Sequence, residues 1–273
     1  RLIMKIFDCF MYWDEDLILD MRFNILNNYV DKFVIIESNK TWQNNSKKLI
    51  FNIEKFKNFK EKIIYIPITD MPDGVNPWVR ENFQRNCILR GLDSSDSNDL
   101  ILISDADEIP NLENIKNYML NKKYAVFKQL SFYYKLNMHN ITFPYWQGSR
   151  VCYKKYLKSP QWLRNLKFKK RPFWRIDKIQ LNNIIENGGW HFCNLKKPSN
   201  LLYKYKNMAE TKDPFFTKSK IDEKYLSVEQ IEESIKKGKD LIGRNEYYKK
   251  IEIDKSFPKY ILDNKEKLLD WIV

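Results

Sequence analysis

The sequence has few of the residues that would mark a disulfide-linked, zinc-binding or membrane protein. It contains only four cysteines in 273 residues, and none of them stands in a Cys-x-x-Cys pair. We therefore expect reduced thiols, no zinc site and a cytoplasmic protein. No apolar run approaches the roughly 20 residues of a membrane span, and strand-like residues follow Arg1 directly. We expect neither a transmembrane segment nor a signal peptide.

Glycine is also scarce, at seven residues, and the chain has no internal repeat, no low-complexity tract and no Gly/Ser linker. These absences argue against a repeat protein and against domains joined by a flexible linker. The hydrophobic fraction of 43% is enough for a sizeable core. We therefore expect a single domain over residues 1–273.

The charge balance is strongly positive, with a formal net charge of +13 at pH 7. Such a charge suits nucleic acid, but it also suits an anionic small molecule such as a nucleoside diphosphate. Only segment 167–175 is a true basic cluster, and its aromatic residues would allow bases to stack. A basic module that binds RNA or another polyanion therefore stays open as an alternative.

Short strands and helices alternate through the first 120 residues. Apolar runs predict strands at 2–7, 32–37, 63–66 and 99–104, and helical spacing predicts helices at 14–29, 53–59, 78–90 and 112–120. The second half is less regular, with strands predicted at 124–134 and 148–153 and helices at 201–208, 228–237 and 259–272. The alternation predicts an α/β fold with a mostly parallel sheet and helices on both faces.

The fourth predicted strand ends in a group of acids that includes Asp105 and Asp107. In open α/β sheets ligands bind at the carboxyl ends of the strands. Two carboxylates one residue apart in an extended chain point the same way. They would then hold Mn²⁺ or Mg²⁺, whose other coordination positions take phosphate oxygens. The alternative is an acidic loop whose charges favour the first turn of the next helix.

Five short segments, in order along the chain, carry a further signal. They are Asp-Met-Arg-Phe-Asn-Ile-Leu at 20–26, Phe-Val-Ile-Ile-Glu-Ser-Asn-Lys-Thr at 33–41, Asp-Ala-Asp-Glu-Ile-Pro at 105–110, Gly-Trp-His-Phe-Cys at 189–193 and Phe-Pro-Lys-Tyr-Ile-Leu at 257–262. Together they resemble the motifs of glycosyltransferase family 17. The resemblance implies a GT-A type, Rossmann-like sheet, with a nucleotide-sugar-binding half at 1–120 and an acceptor-binding half at 121–273.

The resemblance also implies an activity and a set of site residues. A member of this family would be a metal-dependent, inverting enzyme that moves a sugar, expected to be GlcNAc, from a UDP-sugar to a hydroxyl of a glycan acceptor. Asp105, Asp107 and His191 would hold Mn²⁺ or Mg²⁺, since neutral imidazole is a suitable ligand beside carboxylates. Four polar residues are expected to bind the donor: Asp8, Glu37, Arg85 and Asp105.

An inverting displacement needs a carboxylate that takes the proton of the acceptor hydroxyl. We expect this base among the acids of the second half, with Asp213 first, Glu210 second and Glu186 third. Asp213 precedes Pro214, which favours an extended backbone that projects the side chain from a loop. The alternative is that Asp213 only begins a turn.

A nucleotide-sugar pyrophosphorylase is the other enzymatic alternative, because such enzymes are also α/β proteins that use Mg²⁺. It would need a glycine-rich phosphate loop after the first strand, and Asp-Cys-Phe-Met-Tyr-Trp at 8–13 contains no glycine. We therefore favour a transferase, with a sugar donor and a glycan acceptor as its ligands and no nucleic acid partner.

Overall fold

The computed structural model describes residues 4–74, 76–168, 181, 183–207, 209, 227–241 and 244–273. Within these ranges the strands are β1 (Ile6–Met11), β2 (Lys32–Ser38), β3 (Ile63–Ile68), β4 (Leu100–Asp105), β5 (Glu108–Pro110), β6 (Tyr124–Tyr133), β7 (Met138–Asn140), β8 (Tyr145–Tyr153), β9 (Ile184–Ile185), β10 (Gly189–Cys193) and β11 (Tyr248–Lys250). All of them join one sheet.

The described α-helices are α1 (Asp16–Leu26), α2 (Pro77–Asn86), α3 (Ile115–Met119), α4 (Pro160–Asn165), α5 (Pro198–Asn207), α6 (Val228–Lys237) and α7 (Lys259–Asp263). Further helices, of the 3₁₀ type, lie at Ile53–Lys62, Cys87–Gly91, Lys154–Tyr156 and Lys265–Trp271. No helix in the described ranges combines the length and apolar character that a bilayer crossing requires.

Four parallel strands in the order β3-β2-β1-β4 form the first half of the sheet. Beyond β4, strands β8 and β6 continue the sheet in antiparallel orientation. Strand β10 lies parallel to β6 and antiparallel to β5. The prediction of a Rossmann-like α/β sheet is confirmed, and the antiparallel extension brings residues of the second half to the carboxyl ends of the parallel strands.

Hydrophobic residues pack against both faces of the parallel strands. On β1, Phe10 belongs to the cluster that also buries Phe23 of α1. Its neighbour Cys9 points the other way, into the cluster that contains Ile88 from the segment after α2. Both faces of the strands are therefore apolar, which is typical of a sheet covered by helices on each side.

The first strand differs from its prediction in a way that affects one candidate residue. The apolar run indicated a strand at 2–7 that ends before Asp8, but β1 spans Ile6–Met11 and contains Asp8 in its interior. A charged residue is tolerated there because Arg22 of α1 neutralises it across a fully buried ion pair. The predicted position of Asp8 just past the strand was wrong.

Candidate functional site

A cleft of about 310 Å³ opens at the carboxyl ends of β1 and β4. Its lining includes Met11 and Asp105, the last residues of these strands, and Asp107. Other lining residues come from the second half of the chain, among them His191 and Arg244. The cleft is therefore built jointly by the two halves, at the edge of the sheet where ligands bind in this class of fold.

The short turn between β4 and β5 is held in place by Arg22 of α1. The guanidinium donates to both carboxylate oxygens of Asp8, at 2.6 and 2.7 Å. It also donates to the carbonyl oxygens of Ala106 at 3.1 Å and Glu108 at 2.6 Å. The side chains of Arg22 and Asp8 are both fully buried. Asp8, predicted at the donor site, thus takes part in fixing the turn and does not line the cleft.

Asp105 and Asp107 do not lie in one extended segment, as the sequence led us to expect. Asp105 ends β4, whereas Asp107 lies in the turn. The carboxylate of Asp105 pairs with Arg164 at 2.6 Å and with Arg85 at 3.1 Å. Burial alone would raise the pKa of Asp105, but the charges of Arg164 and Arg85 outweigh it and lower that pKa. The two carboxylates therefore have different partners.

Asp107 lies beside the C-terminal end of β10. The backbone N–H of Phe192 donates to the carbonyl oxygen of Asp107 at 2.9 Å. Its carboxylate lies 3.6 Å from Nε2 of His191, and the ligand atoms of Asp107, His191 and Cys193 all lie within 4.8 Å of one another. Burial would raise the pKa of Asp107, yet His191 outweighs it and lowers that pKa.

These three side chains form a donor set that suits a metal ion. A carboxylate oxygen, an imidazole nitrogen and a thiol sulfur are all common ligands of divalent cations. Nδ1 of His191 is buried and has no hydrogen-bond partner among the described residues. Within the part of the chain that the structure describes, Asp107, His191 and Cys193 are the group of three that meets the distances for a shared ion.

Gly189 explains why β10 can approach β5 so closely. Its φ of +110° lies in the region that favours glycine, and a Cβ there would lie 2.3 Å from the carbonyl oxygen of Ile109. Any larger residue would push the strands apart. The Gly-Gly-Trp-His sequence therefore brings His191 to the turn that carries Asp107.

Glu108 organises the wall of the cleft, a role that sequence reasoning missed. Its carboxylate is fully buried and accepts hydrogen bonds from Arg164 at 2.6 and 2.7 Å, from Nε1 of Trp146 at 2.6 Å and from the backbone N–H of Asp105 at 3.0 Å. The ring of Trp146 stacks on that of His191, with centroids 5.4 Å apart. Trp146 is nevertheless 45% exposed, so its outer face is open at the cleft.

Cationic side chains also line the cleft. Lys204 of α5 donates to Oδ1 of Asn194 at 2.9 Å, and its charge also acts on Asp107. Arg244 and Arg85 contribute further guanidinium groups to the lining. Guanidinium and ammonium groups near a carboxylate pair suit a ligand that carries several phosphate oxygens.

Glu37, the second predicted donor residue of the sheet edge, is fully buried and does not line the cleft. Its carboxylate pairs with Lys47 and accepts bonds from the backbone N–H groups of Ile50 at 2.9 Å and Phe51 at 3.0 Å. The hydroxyl of Tyr65 donates to it at 2.9 Å. These contacts tie the segment after β2 to β3.

Glu186 lines a different cavity, a groove of about 950 Å³ on the reverse face of β10. Consecutive residues of a strand point to opposite faces, so Trp190 lines this groove while His191 lines the cleft. The carboxylate of Glu186 pairs with Lys128 at 2.8 Å. The other two candidate bases, Asp213 and Glu210, lie outside the described residues, as does most of the basic segment 167–175.

The sheet, its covering helices and the cleft at the strand ends define a Rossmann-like α/β fold of the kind found in glycosyltransferases. The sequence profile of Glycosyltransferase family 17 matches residues 1–266, nearly the whole chain. The chain belongs to this family. The resemblance carried by the five motifs is therefore confirmed.

Two curated proteins are similar over a shorter stretch. They are the beta-1,4-mannosyl-glycoprotein 4-beta-N-acetylglucosaminyltransferases of Homo sapiens and Rattus norvegicus, each 30% identical to this chain over 103 residues. The matched stretch covers 34% of this chain and 19% of each relative. The match thus spans about a fifth of the length of these relatives.

Proposed function

We propose that the protein is a metal-dependent, inverting glycosyltransferase of the GT-A type that moves GlcNAc from UDP-GlcNAc to a hydroxyl of a glycan acceptor. The observation that carries this proposal is the meeting of Asp107 and His191 within 3.6 Å, in a cleft that is also lined by Lys204 and Arg244. Membership of family 17 and the names of the two relatives support the transfer of a sugar and the choice of GlcNAc.

In this proposal Asp107 and His191 would hold Mn²⁺ or Mg²⁺, which would supply Lewis-acid stabilisation of the leaving diphosphate. Lys204 and Arg244, which also line the cleft, would neutralise phosphate charge. Asp105 is fixed by two guanidinium groups, so we assign it to positioning the donor. Arg85, which pairs with Asp105, is close enough to share that role.

The acceptor hydroxyl needs a base that is not already engaged. The described carboxylates of the cleft lining all have cationic or imidazole partners: Glu15 with Lys196, Glu81 with Arg85, Asp105 with Arg85 and Arg164, Glu108 with Arg164, and Asp107 with His191. Glu186 faces the groove on the reverse side of β10. We therefore propose Asp213 as the base, with Glu210 as second candidate.

Replacement of Asp107 tests the function directly. Asp107→Ala removes a proposed ligand but keeps the backbone carbonyl that bonds to Phe192, so the protein should fold normally. We expect GlcNAc transfer with Mn²⁺ to fall by at least about 100-fold, whereas the exposed control Asp93→Ala should behave like the wild type. Unchanged activity and unchanged Mn²⁺ dependence in Asp107→Ala would contradict the proposal.

The same assay assigns the base. Asp213→Asn should lower turnover by about 10²–10⁴ while donor binding is kept. A loss confined to Glu210→Gln would move the role to Glu210.

A further inference from the structure

We propose that Cys193 is a ligand of the cation held by Asp107 and His191, and that its thiolate makes the site selective for zinc and cobalt over magnesium. This inference rests on the proposed cation site and goes further, because it assigns a third ligand and a metal preference. Neither the motif pattern nor the charge of the chain indicated a role for this cysteine.

The register of two strands brings the three side chains together. His191 and Cys193 are two residues apart on β10, so they point to the same face of the sheet. Asp107 is bonded through its carbonyl oxygen to the N–H of Phe192, the residue between them. The carboxylate therefore lies beside both side chains, and the three ligand atoms fall within 4.8 Å of one another.

Two further observations point to a bound ion at this place. His191 is only 7% exposed, and its Nε2 lies 3.6 Å from the carboxylate of Asp107, a separation that a single ion about 2 Å from each ligand atom can bridge. Cys193 is the half-buried member of the four cysteines, while Cys9, Cys87 and Cys152 are buried. The thiol at the cleft is therefore the accessible one.

The chemistry of the donor set determines which ions it favours. Magnesium prefers oxygen ligands in octahedral geometry, whereas a thiolate and an imidazole suit zinc and cobalt. A site with carboxylate, imidazole and thiolate therefore gains affinity for these ions from sulfur and gains almost none for magnesium. Most nitrogen and oxygen sites already bind zinc more tightly than manganese, so the informative quantity is how far Cys193 changes the ratio of the two affinities.

Cobalt provides a spectroscopic test on the full chain. Co²⁺ added to the wild-type protein should produce a thiolate-to-cobalt charge-transfer band in the near ultraviolet. Cys193→Ser should remove this band, whereas the matched control Cys87→Ser should keep it. The ratio of Zn²⁺ to Mn²⁺ affinity should fall at least about tenfold in Cys193→Ser. Even the loss of a residue that only hydrogen-bonds to a metal ligand lowers metal affinity by that much.

Alkylation of the wild-type protein covers the case in which the serine variant does not fold. Zn²⁺ should protect Cys193 from a thiol reagent, as mapped by mass spectrometry, and the same concentration of Mg²⁺ should protect it much less. Suppose that the wild type binds Co²⁺ and Asp107→Ala does not, but that the wild type shows no charge-transfer band and Zn²⁺ does not protect Cys193. This result would overturn the role of Cys193 and leave the cation site intact. Absence of any Co²⁺ binding would overturn both.

Discussion

Two pairs of charged residues in the family motifs differ in where they lie. Asp107 and His191 face the cleft, where a ligand can reach them. Arg22 and Glu37 are fully buried, and neither of them lines the cleft. Arg22 and Glu37 therefore contribute to the site by fixing the backbone. Their replacement should change the stability of the protein more than its binding of the donor.

Glu37→Gln tests this division at a single residue. The amide of glutamine keeps one acceptor oxygen but loses the ion pair with Lys47. Its NH₂ group also replaces an oxygen that accepts hydrogen bonds, so two donors then face each other. We expect the free energy of unfolding to fall by about 1.5–3 kcal/mol, with the KM for UDP-GlcNAc unchanged. Denaturant unfolding and donor kinetics measure the two quantities. The exposed control Glu54→Gln should change neither.

A raised KM for the donor at unchanged stability would instead return Glu37 to the donor site, where the sequence alone had placed it. Sequence reasoning found the motifs of the family but could not separate the roles of their residues, because burial and partners depend on the fold. Glu108 and Arg164 show the same limit. Their ion pair joins residues from β5 and α4, and no local sequence pattern in either segment predicts the contact.

At the scale of elements, α1 and the β4–β5 turn act as one unit. Helix α1 carries Arg22 at a position that reaches both β1 and the turn, more than 80 residues further along the chain. The same helix carries Asp20, whose carboxylate accepts a hydrogen bond from the hydroxyl of Tyr260 in α7 at 2.6 Å. Three of the five motifs therefore meet on this helix.

Arg22→Met should disrupt this unit. The substitution leaves the carboxylate of Asp8 buried without its partner and releases two carbonyl oxygens of the turn. We expect a loss of about 3–5 kcal/mol in the free energy of unfolding, the usual cost of breaking a buried ion pair from one side. Arg22→Lys keeps the charge but not the forked geometry and should also destabilise the protein.

Thermal and denaturant unfolding measure both variants, and the control is Lys55→Met. The pair of Lys55 with Asp16 is exposed, so we expect a change of at most about 1 kcal/mol. Equal stability of Arg22→Met and the wild type would show that the turn does not depend on α1. Several elements were predictable, because apolar periodicity is local, but the short strand β10 that carries His191 was not predicted. Strand β2 and helix α6 lie where the sequence placed them to within one residue.

For the whole molecule, the net charge of +13 does not require a polynucleotide partner. The described cleft already pairs several of its cations with carboxylates, and family membership accounts for the fold. We therefore expect single-stranded RNA to bind no more tightly than the roughly micromolar range of non-specific contacts at physiological salt. A salt titration with a labelled oligonucleotide measures this.

Tighter RNA binding that is lost when Lys169, Lys170 and Arg171 are replaced together would favour the polyanion-binding alternative. Equal loss in a triple variant of Lys57, Lys60 and Lys62 would show that only the overall charge matters.

The pairing of β4 has a consequence for any attempt to divide the protein. This strand hydrogen-bonds to β1 on one side and to β8 on the other, so it lies in the interior of the sheet although residues 1–120 end before β8 begins. A fragment that stops at residue 120 would turn β4 into a free edge strand with a row of unpaired amide and carbonyl groups. Such an edge is a template for pairing with other chains. Residues 1–120 therefore should not form a stable unit by themselves, and their separate expression should lead to self-association.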